Sequence, residues 1–246
     1  MSARIWLVIP TYNEAENVGP IVHAVCEEMA RIAPGEYRVL IVDDNSPDGT
    51  GRLADQLALE LDTVEVLHRM SKDGLGRAYI AGFEHALAGD AELVVEMDAD
   101  FSHDPQHLAA LIGAADDADV VLGSRYVPGG AVRNWGMMRK LVSRGGSTYA
   151  RMVLGIKVRD LTGGFKCIRR HVLVTIDLNS LRADGYVFQI EVTYRAIRSG
   201  FTVCEIPIQF VDRAAGTSKM SGMIALEAML LVPRLRRHQT RQLTRS

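Results

Sequence analysis

Two carboxylates one residue apart, Asp98 and Asp100, close a short apolar run that begins at Leu93. A run of that length reads as a buried strand. In an open α/β sheet, ligands bind beyond the carboxyl ends of the strands. Side chains at i and i+2 of a strand share a face, so Asp98 and Asp100 are expected to converge on one ligand. Two carboxylates together with substrate phosphates form the hard oxygen set that Mg²⁺ or Mn²⁺ takes. The competing use of acids after a strand is to cap the next helix. Asp104, just before Pro105, suits that use, whereas Asp98 and Asp100 stand too early for it.

The flanking pattern supplies the frame for this pair. Strands are predicted at Arg4–Ile9, Tyr37–Val42, Val64–Leu67, Glu92–Met97 and Asp119–Gly123. Between them fall helices starting at Asn13 or Glu14 and ending near Ile32, and at about Gly51–Leu61, Gly74–Leu87 and Pro105–Ala115. Strands alternating with helices imply βαβ units and a mostly parallel sheet with helices on both faces. Ile206–Phe210 reads as a late edge strand, where a proline is tolerated. The first strand is followed by Pro-Thr-Tyr-Asn-Glu rather than Gly-x-Gly-x-x-Gly, and Gly74-Leu-Gly76 lacks the third glycine. No Gly-x-x-x-x-Gly-Lys occurs either. A glycine-rich phosphate cradle is therefore not expected, and a metal on the acid pair takes its place.

Composition narrows the function further. The 246 residues carry a formal net charge of −2, which argues against nucleic-acid binding as the main activity. Cys26, Cys167 and Cys204 show no metal-ligand spacing and suit reduced, mostly buried thiols in a cytoplasmic protein. No signal segment is read at the N-terminus, and no apolar run reaches the ~18 residues of a membrane span. The run around Met223–Val232 is broken by Glu227 and stopped by Pro233. From Arg234 to the end there are five Arg and no acid.

Six motifs occur in order: Ile9-Pro-Thr-Tyr-Asn-Glu14, Val42-Asp-Asp-Asn-Ser-Pro-Asp-Gly49, Met97-Asp-Ala-Asp100, Gly123-Ser-Arg-Tyr126, Thr162-Gly-Gly-Phe-Lys166 and Gly216-Thr-Ser-Lys219. Together they resemble the inverting glycosyltransferases of family 2, with the GT-A fold. More narrowly, Met97 to His103, Asn134-Trp135 with Arg139-Lys140, and Arg213 to Lys219 resemble the polyprenol-phosphate (dolichol-phosphate) mannose synthases. The resemblance covers the chain to about residue 230. It implies a catalytic domain over 1–220, and an amphipathic helix and basic tail over 221–246 with no transmembrane helix. Pro10, Tyr12, Glu14, Val42 and Asp43 or Asp44 would border the nucleotide, with Asp98 and Ala99 also on the donor. Acids after the second strand sit where ribose hydroxyls are usually read. The plainer alternative makes Asp43, Asp44 and Asp48 turn and cap residues, which fits Asp48 well and Asp43 least. Asp98 and Asp100 would hold the metal, with Ser102 at a position where some relatives carry Gln. Arg125, Arg139, Arg213 and Lys219 would handle phosphates, Arg through a planar fork and Lys as a point charge.

The reaction so implied transfers mannose from GDP-mannose to a polyprenyl monophosphate with inversion. A phosphate monoester, with a second pKa of about 6, is already ionised near neutrality and needs no general base. His68, His85, His103 and His107 are therefore expected to be structural or peripheral, His103 being the nearest to the metal segment. The nearest rival is a polyprenyl-phosphate glucosyltransferase using UDP-glucose. A non-catalytic nucleotide-sugar-binding module is the non-enzyme rival, and the acid pair with Arg139, Arg213 and Lys219 argues against it. A lipid acceptor implies contact with a membrane surface, at its cytoplasmic face. Residues 135–154 mix apolar and basic residues without an acid, as an interfacial helix does. Residues 223–235 with the arginine-rich tail form the second candidate, where packing on the sheet competes equally. A separate membrane-anchoring protein is a further expected partner.

Overall fold

The computed structural model describes residues 4–133, 135–181, 185–211 and 231–236, with Arg139 and Tyr186 described by their backbone alone. The apolar runs become strands β1 (Ile5–Thr11), β2 (Tyr37–Asp43), β3 (Val64–His68), β4 (Leu93–Glu96) and β5 (Val120–Ser124). Short β6 (Ala131–Arg133) is followed by β7 (Lys166–Arg169), β8 (Val203–Pro207) and β9 (Gln209–Val211). Helices α1 (Val18–Ile32), α2 (Thr50–Glu60), α3 (Leu75–Ala88) and α4 (Leu108–Gly113) lie between the early strands. Helices α5 (Met137–Leu154), α6 (Arg170–Thr175) and α7 (Gly185–Arg198) belong to the second half.

The main sheet has the order β3-β2-β1-β4-β7-β5-β8. All its neighbours run parallel except β7, which is antiparallel to both β4 and β5. The mostly parallel sheet expected from the sequence is present, with one reversed strand inside it. Near-continuous apolar strands follow from burial on both faces. Alternation sends Leu7 and Ile9 to a core beneath α1, α2 and α4, and Trp6 and Val8 to a second core beneath α3, α5 and α7. A two-stranded parallel sheet, β6 with β9, stands beside the main one.

Several boundaries differ from the sequence reading, each for a local reason. Helix α1 starts at Val18 rather than at Asn13 or Glu14, because Asn13 adopts a left-handed φ of 59° that a helix cannot continue through. Strand β4 ends at Glu96, before the acid pair. The helix expected at Pro105–Ala115 is a 3₁₀ turn, a short α4 and a second 3₁₀ turn. The Ile206–Phe210 strand is divided between β8 and β9, with Pro207 closing β8 at the sheet edge. Strand β7 had no counterpart in the sequence reading.

Cys26, Cys167 and Cys204 are free thiols, the first two buried. Among the described residues no helix is long and apolar enough to cross a membrane. The expected division at 220/221 lies outside the described residues, as do Met223–Leu230. The helical stretch 231–236 packs on the main sheet's helices, with Val232 fully buried in the α3–α5–α7 core and Arg236 Nη1 donating to Val153 O at 2.8 Å.

Helix α3 approaches the sheet at a glycine. A Cβ on Gly82 would lie 2.3 Å from Val8 Cγ1 and 3.1 Å from Val42 Cγ2. Overpacking a filled core costs about 1–3 kcal/mol. Gly82→Ala is expected to lower the melting temperature, by about 2–4 °C per kcal/mol lost in a chain of this size. Thermal unfolding followed by circular dichroism checks this; an unchanged Tm would mean that α3 moves away at no cost.

Candidate active site

The register of the sheet sets the site. Pro10 pairs with Val42 and Thr11 with Asp43, so the carboxyl ends of β1 and β2 finish level. Val8 pairs with Glu96, which brings the turn after β4 to the same edge. Strand β7 starts there, since Lys166 lies opposite both Glu96 and Leu122.

At the end of β2, Asp43 is buried and does turn work. Its carboxylate accepts from Ser46 Oγ at 2.6 Å, Ser46 N at 3.2 Å and Thr11 Oγ1 at 3.3 Å. The turn role judged least fitting for Asp43 is thus the one it performs. Asp48 is the expected turn residue, bonded by Thr50 N at 3.0 Å and Ala15 N at 3.1 Å. Asp44 is buried and paired with Arg69. Burial pushes its carboxyl above the usual range and Arg69 pulls it back. Tyr12 is half-buried, and the Lys72 ammonium lies 3.7 Å from its ring centroid. Glu14 Oε2 accepts from Asn17 Nδ2 at 2.7 Å. Pro10 is half-buried at the end of β1. Val42 and Ala99 send their side chains into the two cores. Both side chains are shielded from solvent.

The acid pair sits past the strand end, so strand alternation does not orient it. A turn does, with Phe101 at a left-handed φ of 59°. Asp98 is 30% exposed and accepts from the Tyr79 hydroxyl at 3.1 Å. Asp100 is buried and accepts from Ser102 N at 3.0 Å. Ser102 is 2% exposed, and among the described residues its hydroxyl has no hydrogen-bond partner. A buried hydroxyl without a partner is costly. Its place two residues from Asp100 fits an oxygen that would ligate a cation. Among the described residues no group of three or more His, Cys, Asp or Glu forms a metal site. The donors are two carboxylates and a hydroxyl, a set that leaves room for substrate oxygens. Asp104 caps the following turn, accepting from Gln106 N at 3.0 Å, as its spacing predicts.

His103 is structural. It is buried, its ring stacks on Phe165 at 5.1 Å, and Nδ1 accepts from Asp98 N at 3.3 Å. Burial lowers its pKa to about 4, so the ring is neutral. His107 Nε2 accepts from Gln209 N at 3.1 Å. His68 pairs with Asp55 and His85 with Glu65.

Arg125 is 4% exposed and forks onto Asp160 through Nε and Nη2, each at 2.7 Å, with Nη2 also donating to Thr162 Oγ1 at 2.9 Å. Its charge is balanced by a buried carboxylate, so it braces the loop after β5 instead of standing open to substrate phosphate. Trp135 is buried, with its ring edge-on to Phe210 at 5.4 Å and the Arg125 guanidinium 5.6 Å from its centroid. The interfacial stretch expected over 135–154 is thus corrected at its first residue, which is packed inside. Arg139 lies in the first turn of α5, and its side chain lies outside the described residues, as do Arg213 and Lys219 entirely.

Sequence reasoning missed the floor of the site. Lys166 Nζ donates to Glu96 Oε1 at 2.7 Å and also to Gln189 Oε1, and all three residues are buried. Burial raises the Glu96 pKa and lowers that of Lys166, while each charge counters the shift of the other. An acid inside the apolar run 93–97 was the available signal. Asp160 gave none.

A mostly parallel sheet whose carboxyl edge carries buried acids at the end of β2, an Asp-x-Asp turn and a hydroxyl with no partner among the described residues has the architecture of the GT-A nucleotide-diphospho-sugar transferases. Residues 6–176 match the sequence profile of glycosyl transferase family 2, and the chain belongs to that family. It is 50% identical over 234 residues to the polyprenol monophosphomannose synthase of Mycolicibacterium smegmatis, covering 93% of this chain and 85% of that protein. It is 47% identical over 231 residues to the undecaprenyl-phosphate mannosyltransferase of Micrococcus luteus, covering 94% and 93%. Among solved structures, glucosyl-3-phosphoglycerate synthase from Mycobacterium tuberculosis, in complex with Mn²⁺, UDP-glucose and phosphoglyceric acid, shares the fold with a TM-score of 0.67 at 18% identity, covering 96% of this chain and 80% of that one. A mannosyltransferase from Pyrobaculum calidifontis, in complex with GDP-Man and Mn²⁺, gives a TM-score of 0.60 at 16% identity, covering 89% and 59%.

Removing one partner of a buried ion pair costs about 3–5 kcal/mol, because the other charge is left uncompensated. Lys166→Met is expected to lose stability on that scale, and Lys166→Met with Glu96→Gln to regain most of it. Urea unfolding midpoints of the two variants decide; equal losses would mean that packing, not charge, holds this floor.

Proposed function

We propose that the chain transfers mannose from GDP-mannose to a polyprenyl monophosphate with inversion at the anomeric carbon. The observation that carries this reading is the 50% identity to a polyprenol monophosphomannose synthase over 93% of the chain. The site is consistent with it. In the reaction an acceptor phosphate oxygen bonds to the anomeric carbon as the bond to the donor's diphosphate breaks, and GDP leaves. The ionised acceptor needs no base. None is offered by His103, whose buried neutral ring is already engaged by Asp98 N.

On this reading Asp98, Asp100 and Ser102 hold Mg²⁺ or Mn²⁺, and either cation, when bound, neutralises charge on the departing diphosphate. Tyr12, Glu14 and Asp44, with the backbone of Pro10, Val42 and Ala99, border the nucleotide. Asp43 shapes that pocket from below. Arg139, Arg213 and Lys219 meet the phosphates, and Arg125 acts through the loop it braces. Catalysis is then chiefly positioning and charge stabilisation.

The lipid acceptor requires a membrane surface. Met137 and Met138, at 79% and 73% exposure, continue into exposed Leu141 and Val142 on the first turns of α5, and Met152 is exposed near its end. Lys140, Arg144 and Arg151 accompany them on the same acid-free helix. An apolar face with basic neighbours suits the interface of an anionic bilayer. Peripheral attachment at the cytoplasmic face, alone or with a membrane-anchoring protein, completes the reading.

The test is transfer of radiolabel into butanol-extractable lipid, comparing GDP-mannose with UDP-glucose, each with and without polyprenyl phosphate and with divalent cation or EDTA. Cation-dependent labelling from GDP-mannose alone is expected. Asp100→Ala should lower it about a thousandfold while circular dichroism stays native, several kcal/mol of charge stabilisation being lost. Labelling from UDP-glucose would change the sugar; nucleotide binding without turnover would make the chain a binding module.

Sedimentation with phosphatidylserine vesicles tests the membrane contact. Met138→Ser with Leu141→Ser should weaken binding, and rising salt should weaken the native protein's binding. Unchanged binding would move the lipid contact to the arginine-rich C-terminal residues.

A further inference from the structure

Tyr79 is fully buried in the middle of α3, yet its hydroxyl reaches the edge of the site, donating to Asp98 Oδ1 at 3.1 Å. Its ring lies parallel to that of Phe188 on α7, with centroids 6.0 Å apart and planes 4° apart, and against Phe83 at 5.8 Å. The close approach of α3 at Gly82 sets the depth at which this ring enters. The hydroxyl is thus fixed from three sides, by α3, by α7 and by the sheet.

The carboxylate it meets is not fixed by its own torsions. The terminal torsion of an aspartate is broad and roughly two-fold, so rotamer preference alone does not set the carboxylate plane. Strand pairing does not set it either, because β4 ends at Glu96. Groups that hydrogen-bond a metal-ligating side chain orient it, and their loss typically costs 10–100-fold in metal affinity.

We propose that Tyr79 is a positioning residue of the transfer reaction: its hydroxyl holds Oδ1 of Asp98 and so presets the carboxylate for the divalent cation. The role rests on Asp98 being a metal ligand, as read above. It also ties that ligand to α7, so the helix carrying Phe188 and Gln189 supports the acid pair twice, through the stacked ring and through the Gln189–Lys166–Glu96 floor.

Tyr79→Phe removes only the hydroxyl and keeps the ring in its stack. Mn²⁺ binding in the presence of GDP, read from the electron paramagnetic resonance signal of free Mn²⁺, is compared for the native protein, Tyr79→Phe and Phe188→Leu. The dissociation constant for Mn²⁺ should rise about 10–100-fold in Tyr79→Phe, with kcat at saturating Mn²⁺ close to native. Phe188→Leu, which disturbs the stack but retains the hydroxyl, should shift it less. Native-like Mn²⁺ affinity in Tyr79→Phe would overturn the positioning role and leave the transfer reaction standing. An equal loss in Phe188→Leu would assign the effect to packing and overturn it too. No Mn²⁺ binding by the native protein would overturn both the role and the metal reading beneath it.

Discussion

Strand β7 runs against its two neighbours, and at its first residue a lysine ammonium is closed off from solvent. Lys166 faces Glu96 across the β4–β7 pair and reaches Gln189 on α7. This contact joins the half of the sheet that begins the chain to the half that completes it. Charges so deeply buried persist only as a pair, so β4, β7 and α7 have one mutual arrangement. The turn bearing Asp98 and Asp100 leaves β4 directly from that point and inherits its precision.

A second buried pair does the same one strand further. Arg125 and Asp160 lock the loop after β5 to the segment that precedes β7, and the aromatic rings of Tyr126, Trp135 and Phe210 surround the guanidinium at 5.2–5.6 Å. His103 completes the layer between Phe165 and Phe210. One wall of the site is therefore aromatic and rigid, while the side at the carboxyl end of β2 is built from turns whose carboxylates hold backbone amides and hydroxyls.

Much of this was legible in the sequence. Runs such as Val39–Val42 announce parallel strands because burial on both faces demands continuous apolar residues. Asp98 and Asp100 are conspicuous because they end such a run. What the sequence hides is pairing at a distance. Lys166 looks like a surface residue until Glu96, 70 positions earlier, is placed beside it. Arg125 looks like a phosphate ligand until Asp160, 35 positions later, takes its fork. Trp135 reads as part of an interfacial helix because composition cannot reveal its contact with Phe210. The short β7 carries no periodicity of its own, and only its neighbours make it a strand.

The small β6–β9 sheet pairs its strands in parallel, with Arg133 opposite Val211. The chain therefore leaves both strands at one root, and Arg139 and Arg213 follow within a short tether of it. Groups tethered to a common root meet at an effective concentration set by tether length rather than by diffusion. On the proposed reading, the entropy of gathering these two cations around one polyanion is in this way largely spent during folding, before any substrate arrives.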